Sequence, residues 1–277
     1  MTPRDSLCTV APTDLDPAAL TLRKPPGLTI SVCLPARDEA ATVGPICEVI
    51  AEECAPLVDE LVVLDDGSTD DTAAVAAAAG AKVVAVEDVL PDQPPGRGKG
   101  NVLWSSLAVS HGDLVVWCDA DLRSFTSAYV TRLVAPLLED PAIQLVKGFY
   151  DRPIDDEGHG GGRNTELVAR PLLARLFPEL ACLLQPLSGE CAGRRTLLEQ
   201  LPFVQSYGVE IGLLVDAFRR VGAAAIVQVD LGTKVHRHRP LDELALQAGE
   251  IIDTVLGRAG VGGIAPVAER PPMASLR

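Results

Sequence analysis

From Leu28 onward, short unbroken apolar runs alternate with stretches of helical periodicity. Residues 29–34, 60–64, 82–86 and 114–118 predict strands, and 40–54, 70–79 and 100–109 predict the helices between them. The runs Leu-Val-Val-Leu at 61–64 and Leu-Val-Val-Trp at 114–117 are continuous rather than alternating, the pattern of central strands covered on both faces. Strands spaced by helices of this length form βαβ units and a mostly parallel sheet. Beyond residue 121 the pattern turns mixed: helix 127–138, strand 144–149, a glycine-rich loop, helix 165–176, an extended run 182–187, helix 208–221 and strand 225–230. The expected fold is α/β, a Rossmann-like sheet with helices on both faces. A Pro-rich arm, 1–27, precedes one domain of two halves, 28–122 and 123–250, and a tail, 251–277, follows.

Ligands of such sheets bind at the carboxyl ends of the strands, and the unusual residues fall there. Arg37, Asp38 and Glu39 follow the first strand, Asp65 and Asp66 the second, and Asp119 and Asp121 the fourth. In extended chain, residues i and i+2 point the same way, so Asp119 and Asp121 present two carboxylates past a buried strand, with small Ala120 between them. A lone Asp-x-Asp is a weak signal; its place after an apolar strand makes it a site for a hard divalent cation that fills its shell with phosphate oxygens.

Composition narrows the partners. The 277 residues are 47% hydrophobic, enough for a sizeable core, and the net charge of −14 argues against nucleic acid or an anionic membrane as partner. An anionic ligand must therefore be held locally. The seven cysteines show no repeated CxxC spacing and read as small buried hydrophobes of a reducing cytosol. The first 27 residues lack the apolar core of a signal peptide, and no window reaches the ~20 apolar residues of a membrane span. The expected location is cytoplasmic.

Five further segments carry candidate chemistry. Leu-Asp-Asp-Gly-Ser-Thr-Asp-Asp at 64–71 is either a turn with helix caps at Ser68 or Asp70, or a nucleoside contact through Asp65 and Asp66. Gly-Arg-Gly-Lys-Gly at 96–100 reads as a flexible basic loop entering a helix, where backbone N–H groups and Lys99 meet a diphosphate; a solvated loop is the competing reading. The run 158–165, rich in glycine and ending in Arg163, Asn164 and Thr165 at a helix start, reads as a second anion site, against a plain disordered loop. Glu210 shares the apolar face of its helix with Leu213, Leu214, Ala217 and Val221, which is costly without a partner, and His236 after the last strand is a candidate imidazole ligand for the metal.

Gly161-Gly-Arg-Asn-Thr-Glu-Leu-Val-Ala-Arg-Pro171, Gln185-Pro-Leu-Ser-Gly-Glu190, Tyr207-Gly-Val-Glu-Ile-Gly212 and Arg239-Pro-Leu-Asp-Glu-Leu244 resemble the cytoplasmic actinobacterial glucosyl-3-phosphoglycerate synthases. These are retaining glycosyltransferases of the GT-A fold, with mannosyl-3-phosphoglycerate synthases close behind, and the resemblance runs from about residue 29 to 246. It implies a nucleotide-binding first half and an acceptor-binding second half. It implies that Pro35, Ala36, Glu39 and Asp66 contact the uridine, that Lys99, Asp119 and Ala120 serve the sugar nucleotide, and that Asp121 and His236 bind Mg²⁺, with Mn²⁺ as the alternative ion. Gly162, Arg163, Asn164 and Thr165 are then expected at 3-phosphoglycerate. Leu187 through its carbonyl, and Tyr207 and Glu210 through their side chains, are expected at the donor glucose and the acceptor hydroxyl. The resemblance also implies a homodimer. Arg37-Asp38 replaces a more usual Leu-Asn, Asp66 a frequent Ser, Cys191 an aromatic residue and His238 an Asn, and the segment after Leu246 is shorter than the family leads one to expect. The expected reaction moves glucose from UDP- or GDP-glucose to the 2-hydroxyl of 3-phosphoglycerate. Transfer of mannose from GDP-mannose is its nearest rival, and a sugar-phosphate nucleotidylyltransferase a more distant one.

Overall fold

The computed structural model describes residues 9–10, 16–151, 162–234 and 241–276. In chain order its elements are β1 (Thr9–Val10), α1 (Pro17–Thr21), β2 (Ile30–Ala36), α2 (Val43–Glu53), β3 (Glu60–Asp65), α3 (Thr72–Ala78), β4 (Lys82–Ala85), α4 (Gly98–Val109), β5 (Leu114–Trp117), α5 (Ala128–Glu139) and β6 (Leu145–Asp151). There follow α6 (Arg170–Leu176), β7 (Cys191–Arg194), α7 (Arg195–Leu198), β8 (Phe203–Val204), α8 (Val209–Val221), β9 (Ile226–Thr233), α9 (Leu241–Arg258) and β10 (Glu269–Arg270).

Eight strands form one sheet in the order β1-β9-β6-β7-β5-β2-β3-β4. β2 pairs in parallel with β3 and β5, β3 with β4, and β9 with β6 and β1, whereas β7 runs antiparallel to both β5 and β6. Alternation along the strands divides the core. Val32, Leu34, Val63, Leu114 and Val116 pack with α2, α3 and α5 on one face, and Cys33, Val62, Leu64, Val115 and Trp117 pack with α4, α6, α8 and α9 on the other. Each helix presents its apolar stripe inward, as Val43, Ile46, Cys47 and Ile50 do on α2.

Three departures from the pattern-based expectation have physical causes. The run 182–187 is a series of turns, and the strand lies later, at β7, because Pro186 and Gly189 break the extended run. The boundary drawn at residue 250 falls inside α9, whose Ile251 and Val255 are buried in the core, and β10 beyond it pairs with β8. The arm drawn at 1–27 contributes β1 to the sheet edge and buries Leu20 of α1 against Ile30, Val32 and their neighbours. The His236 and His238 assignments, and the glycines at 158–161, lie outside the described residues. Among the described residues no helix is long and apolar enough to cross a membrane.

Under the sheet, the Trp117 indole N–H donates to Ser106 Oγ at 2.9 Å, and that hydroxyl donates to the Leu103 carbonyl at 2.6 Å. Ser106→Ala leaves the buried N–H without an acceptor, which costs about 1–3 kcal/mol in urea unfolding. In a Trp117→Phe background the same substitution is expected to cost less than about 1 kcal/mol, because no donor is left stranded.

Candidate active site

A cavity of about 600 Å³ opens at the carboxyl ends of β2, β3, β5 and β9. Pro35, Ala36, Arg37 and Glu39 line it from β2, Asp66 from β3, and Asp119, Ala120 and Asp121 from the chain after β5. The loop after β2 is pinned by the segment 65–72. Asp38, at φ 56°, accepts from the Thr69 amide at 2.7 Å; its own amide donates to Ser68 Oγ at 3.0 Å, and those of Glu39 and Ala40 donate to Thr72 Oγ1 at 2.8 Å and Asp70 Oδ2 at 3.1 Å. The turn-and-cap reading of 64–71 is met by Asp70, which accepts from the Thr72 amide at the start of α3 at 3.0 Å, and Asp65 accepts from the Ser68 amide at 3.1 Å. Ser68, Asp70 and Thr72 are scaffold, and Asp66 faces the cavity, 3.8 Å from Arg37 Nη1.

A line of alternating charges crosses the cavity floor. Lys99, in the first turn of α4, reaches Asp119 Oδ1 at 2.6 Å and Glu210 Oε1 of α8 at 2.9 Å. Lys234, just past β9, reaches Asp119 Oδ2 at 2.7 Å and Glu190 Oε1 at 2.6 Å. Glu190 is fully buried, takes a hydrogen bond from Ser188 Oγ at 3.0 Å, and sits one residue before β7. Burial opposes ionisation of Asp119, but Lys234 and Lys99 outweigh it and hold its carboxyl well below the usual range. Burial likewise disfavours a charged Lys99, and Asp119 and Glu210 outweigh that and raise its pKa. Gly189 has no room for a side chain, since a Cβ there would collide with Asp119 Oδ1 and Lys99 Nζ.

Asp121 is placed differently. Among the described residues its Oδ1 is buried with no hydrogen-bond partner, and burial followed by the neighbouring Asp119 charge pushes its carboxyl up. Burial and then Asp121 do the same to Glu39. A carboxylate oxygen left orphaned beside a second carboxylate is what a hard cation satisfies, so the residues present fit a divalent metal at Asp121. Among the described residues that line the cavity, Glu39, Asp66, Asp119, Asp121 and Glu210 outnumber by one the cations Arg37, Lys99, Arg163 and Lys234, a balance that a divalent ion reverses.

The other wall comes from the second half. Gly162, at φ 82°, turns the chain into Arg163, Asn164 and Thr165, and the helix there opens as a π-helical turn, Thr165–Ala169, before α6. Single π turns of this kind widen a helix locally and concentrate at functional sites. Asn164 Nδ2 donates to the Leu244 carbonyl at 3.1 Å, which fixes this turn against α9. Leu187, Tyr207 and Glu210 close the cavity, with Leu244, Gln247 and Ile251 of α9 above them.

Apart from Asp65, which is turned to the Ser68 amide, the candidate site residues among the described ones meet in one cavity, and His236 lies outside the described residues. Gly98 and Lys99 line the cavity, and the glycines of 96–100 also admit protein: a Cβ on Gly96 would collide with Asn101 and Arg270, one on Gly98 would crowd Ser206 and one on Gly100 would strike the Val204 carbonyl. Sequence reasoning missed Lys234 and Glu190, and also Ser206 and Gln247. A lone lysine closing an apolar strand, and an acidic residue after Leu-Ser-Gly, were the available signals for the first two.

The model for glycosyl transferase family 2 matches residues 31–201. The glucosyl-3-phosphoglycerate synthase of Mycolicibacterium smegmatis is 50% identical over 91% of each chain. A solved structure of the Mycobacterium tuberculosis glucosyl-3-phosphoglycerate synthase, in complex with Mn²⁺, UDP-glucose and phosphoglyceric acid, superposes with a TM-score of 0.89 at 48% identity, covering 98% of this chain and 100% of that one. Another, with Mn²⁺, UDP and glucosyl-3-phosphoglycerate, gives a TM-score of 0.87 at 48% identity over 96% and 97% of the two chains. With the Asp-x-Asp strand end, the lysine-bridged floor and the facing wall of Gly162, Arg163, Asn164 and Thr165 in one cavity, the chain belongs to glycosyl transferase family 2, within its glucosyl-3-phosphoglycerate synthases.

Proposed function

We propose that the chain transfers glucose from UDP-glucose to the 2-hydroxyl of 3-phosphoglycerate with retention of configuration, giving glucosyl-3-phosphoglycerate. One observation carries this: a single cavity joins the Asp119 and Asp121 strand end to a facing turn of Gly162, Arg163, Asn164 and Thr165. The relatives' names and bound molecules support the same pair of substrates.

In this reading Pro35, Ala36, Glu39 and Asp66 hold the nucleoside, and Asp121 carries the divalent ion, with His236 as its second ligand from the sequence resemblance. The Mn²⁺ of the related structures supports a divalent ion, and Mg²⁺ fits the same oxygen donors. When bound, the ion supplies charge that stabilises the departing diphosphate. Lys99 adds a fixed positive charge on the same side, oriented by Asp119 and Glu210, so little reorganisation is needed as charge develops. Asp119, with both oxygens committed to lysines, orients these groups. Arg163, with the amides and hydroxyl of the 162–165 turn, binds the acceptor's anionic groups. Tyr207, Glu210 and the Leu187 carbonyl position the glucose and the attacking hydroxyl. No separate protein base is required, because the leaving phosphate oxygen takes the hydroxyl proton in a front-face displacement. We place the enzyme in the cytoplasm, where buried thiols such as Cys33 and Cys118 stay reduced, and as a homodimer, the commonest soluble assembly.

Purified protein is expected to release UDP from UDP-glucose when both 3-phosphoglycerate and a divalent ion are present, and to stop on adding EDTA. Release of pyrophosphate from UTP and glucose 1-phosphate instead would sink the assignment. Asp121→Asn, which keeps shape but removes charge, is expected to lower kcat/KM about 100-fold or more, a loss of roughly 3 kcal/mol in transition-state stabilisation. Arg163→Ala should raise KM for 3-phosphoglycerate about 10- to 100-fold, the scale of a charge-assisted hydrogen bond, and leave KM for UDP-glucose unchanged. Gly189→Ala forces Asp119 and Lys99 apart, so kcat is expected to fall at least about tenfold while the acceptor KM holds. Initial-rate kinetics for each variant check these outcomes.

A further inference from the structure

None of residues 268–276 lines the cavity, yet they hold both walls from which Lys99 and Glu210 reach into it. Arg270 is buried although charged. Its Nε donates to Asn101 Oδ1 at 2.7 Å and its Nη1 to the Pro94 carbonyl at 2.6 Å, and its guanidinium carbon lies 4.7 Å from the centroid of the Trp104 ring. Gly96 is bare where the guanidinium enters, since a Cβ there would collide with Nη2. The side chain therefore grips residues 94–101, and Lys99 lies within that span.

The main chain of the same residue holds the opposite wall. Glu269 and Arg270 pair with Val204 and Phe203, and the Gln205 amide donates to the Ala268 carbonyl at 2.9 Å. Ser206 follows at φ 60°, then Tyr207, and Glu210 lies in the first turn of α8. The walls are also stitched directly: the Arg97 amide donates to Gln205 Oε1 at 2.9 Å, and the Ser206 amide to the Arg97 carbonyl at 3.3 Å. Arg258 anchors the segment further, bonded to Asp216 of α8 at 2.8 Å and to Glu269 at 2.6 Å.

An apolar side chain would fill the space beside Trp104 at no desolvation cost. A guanidinium fork instead fixes the separation and direction of two acceptors on one loop. We propose that Arg270 is a positioning residue for the sugar-nucleotide side of the reaction, setting the 2.9 Å Lys99–Glu210 pair by gripping one wall with its side chain and the other with its strand. The inference rests on the proposed placement of the sugar nucleotide beside Lys99. Arg163 and Thr165 take no part in the bonds named above, so acceptor binding is expected to change less than binding of the sugar nucleotide.

The test compares R270A and R270K with the wild type: KM for UDP-glucose, KM for 3-phosphoglycerate, both with Mn²⁺, and the melting temperature. R270A is expected to raise the UDP-glucose KM at least tenfold with the 3-phosphoglycerate KM within twofold. R270K, a single-point donor in place of a fork, is expected to raise the UDP-glucose KM at least threefold with the same selectivity. A lower melting temperature with smaller changes in KM, or a parallel rise of both KM values, overturns the positioning role. Should R270A fail to fold, R270K decides by its own threshold. A wild type that turns over no sugar nucleotide overturns the proposed function instead; calorimetric binding of UDP with Mn²⁺ to wild type and R270K then tests Arg270 alone, by the same threefold criterion.

Discussion

The carboxylate of Asp119 accepts from Lys99 at 2.6 Å and from Lys234 at 2.7 Å, and each lysine carries a further carboxylate on its far side, Glu210 and Glu190. These five charges come from five places in the chain: α4, the end of β5, the end of β9, the residue before β7 and α8. Such a network is not a cheap source of stability, because each ion is taken out of water. It is a strict source of geometry, because removing one member leaves its neighbours buried and uncompensated, at about 3–5 kcal/mol. The two halves of the domain are thereby held in one arrangement around the cavity.

The sheet explains why those five places meet. A parallel sheet delivers only the carboxyl ends of its strands to one edge, which accounts for Asp66, Asp119 and Lys234. β7 is antiparallel, so its amino end arrives at that edge between β5 and β6, with Cys191 opposite Trp117. Glu190 therefore stands close to Asp119 with Lys234 between them, and Gly189, with no Cβ, leaves room for the contact of Asp119 with Lys99. Gly100 and Gly98 allow the 204–206 segment to close against the start of α4. Close backbone approach, more than loop freedom, is what the glycines of this site supply.

Legibility in the sequence followed the length scale of the forces. The strands β2, β3, β4 and β5 and the helices between them were readable because burial on both faces leaves an unbroken apolar run and an inward stripe leaves a helical period. Carboxylates at three strand ends marked the cavity for the same reason, since such groups stand out against an apolar run. Lys234 and Glu190 did not stand out, because each is one polar residue among ordinary ones and gains meaning only from a partner 115 or 44 residues away. The glycines of 96–100 were visible, but their reason was not, because the atoms that need the space belong to Ser206, Val204 and Arg270. The end of the chain was read as a tail, its apolar residues being broken up by glycines and prolines from Gly257 onward. Met273 is nevertheless buried, and the Trp104 indole donates to the Pro271 carbonyl at 2.8 Å.

The charge balance of the cavity bears on how a polyanionic substrate pair is admitted by a chain of net charge −14. Lys99 and Lys234 are already satisfied by protein carboxylates, so neither is a bare cation awaiting phosphate. Among the described residues that line the cavity, the buried polar atom left without a partner is on the acidic side, Asp121 Oδ1. As folded, that corner of the cavity fits a cation before it fits an anion. Arg163 stands beside the backbone turn at Gly162 and lines the facing wall. In the proposed reading the two anions are therefore met by different means, the diphosphate through a cation held by a carboxylate and the acceptor through a guanidinium.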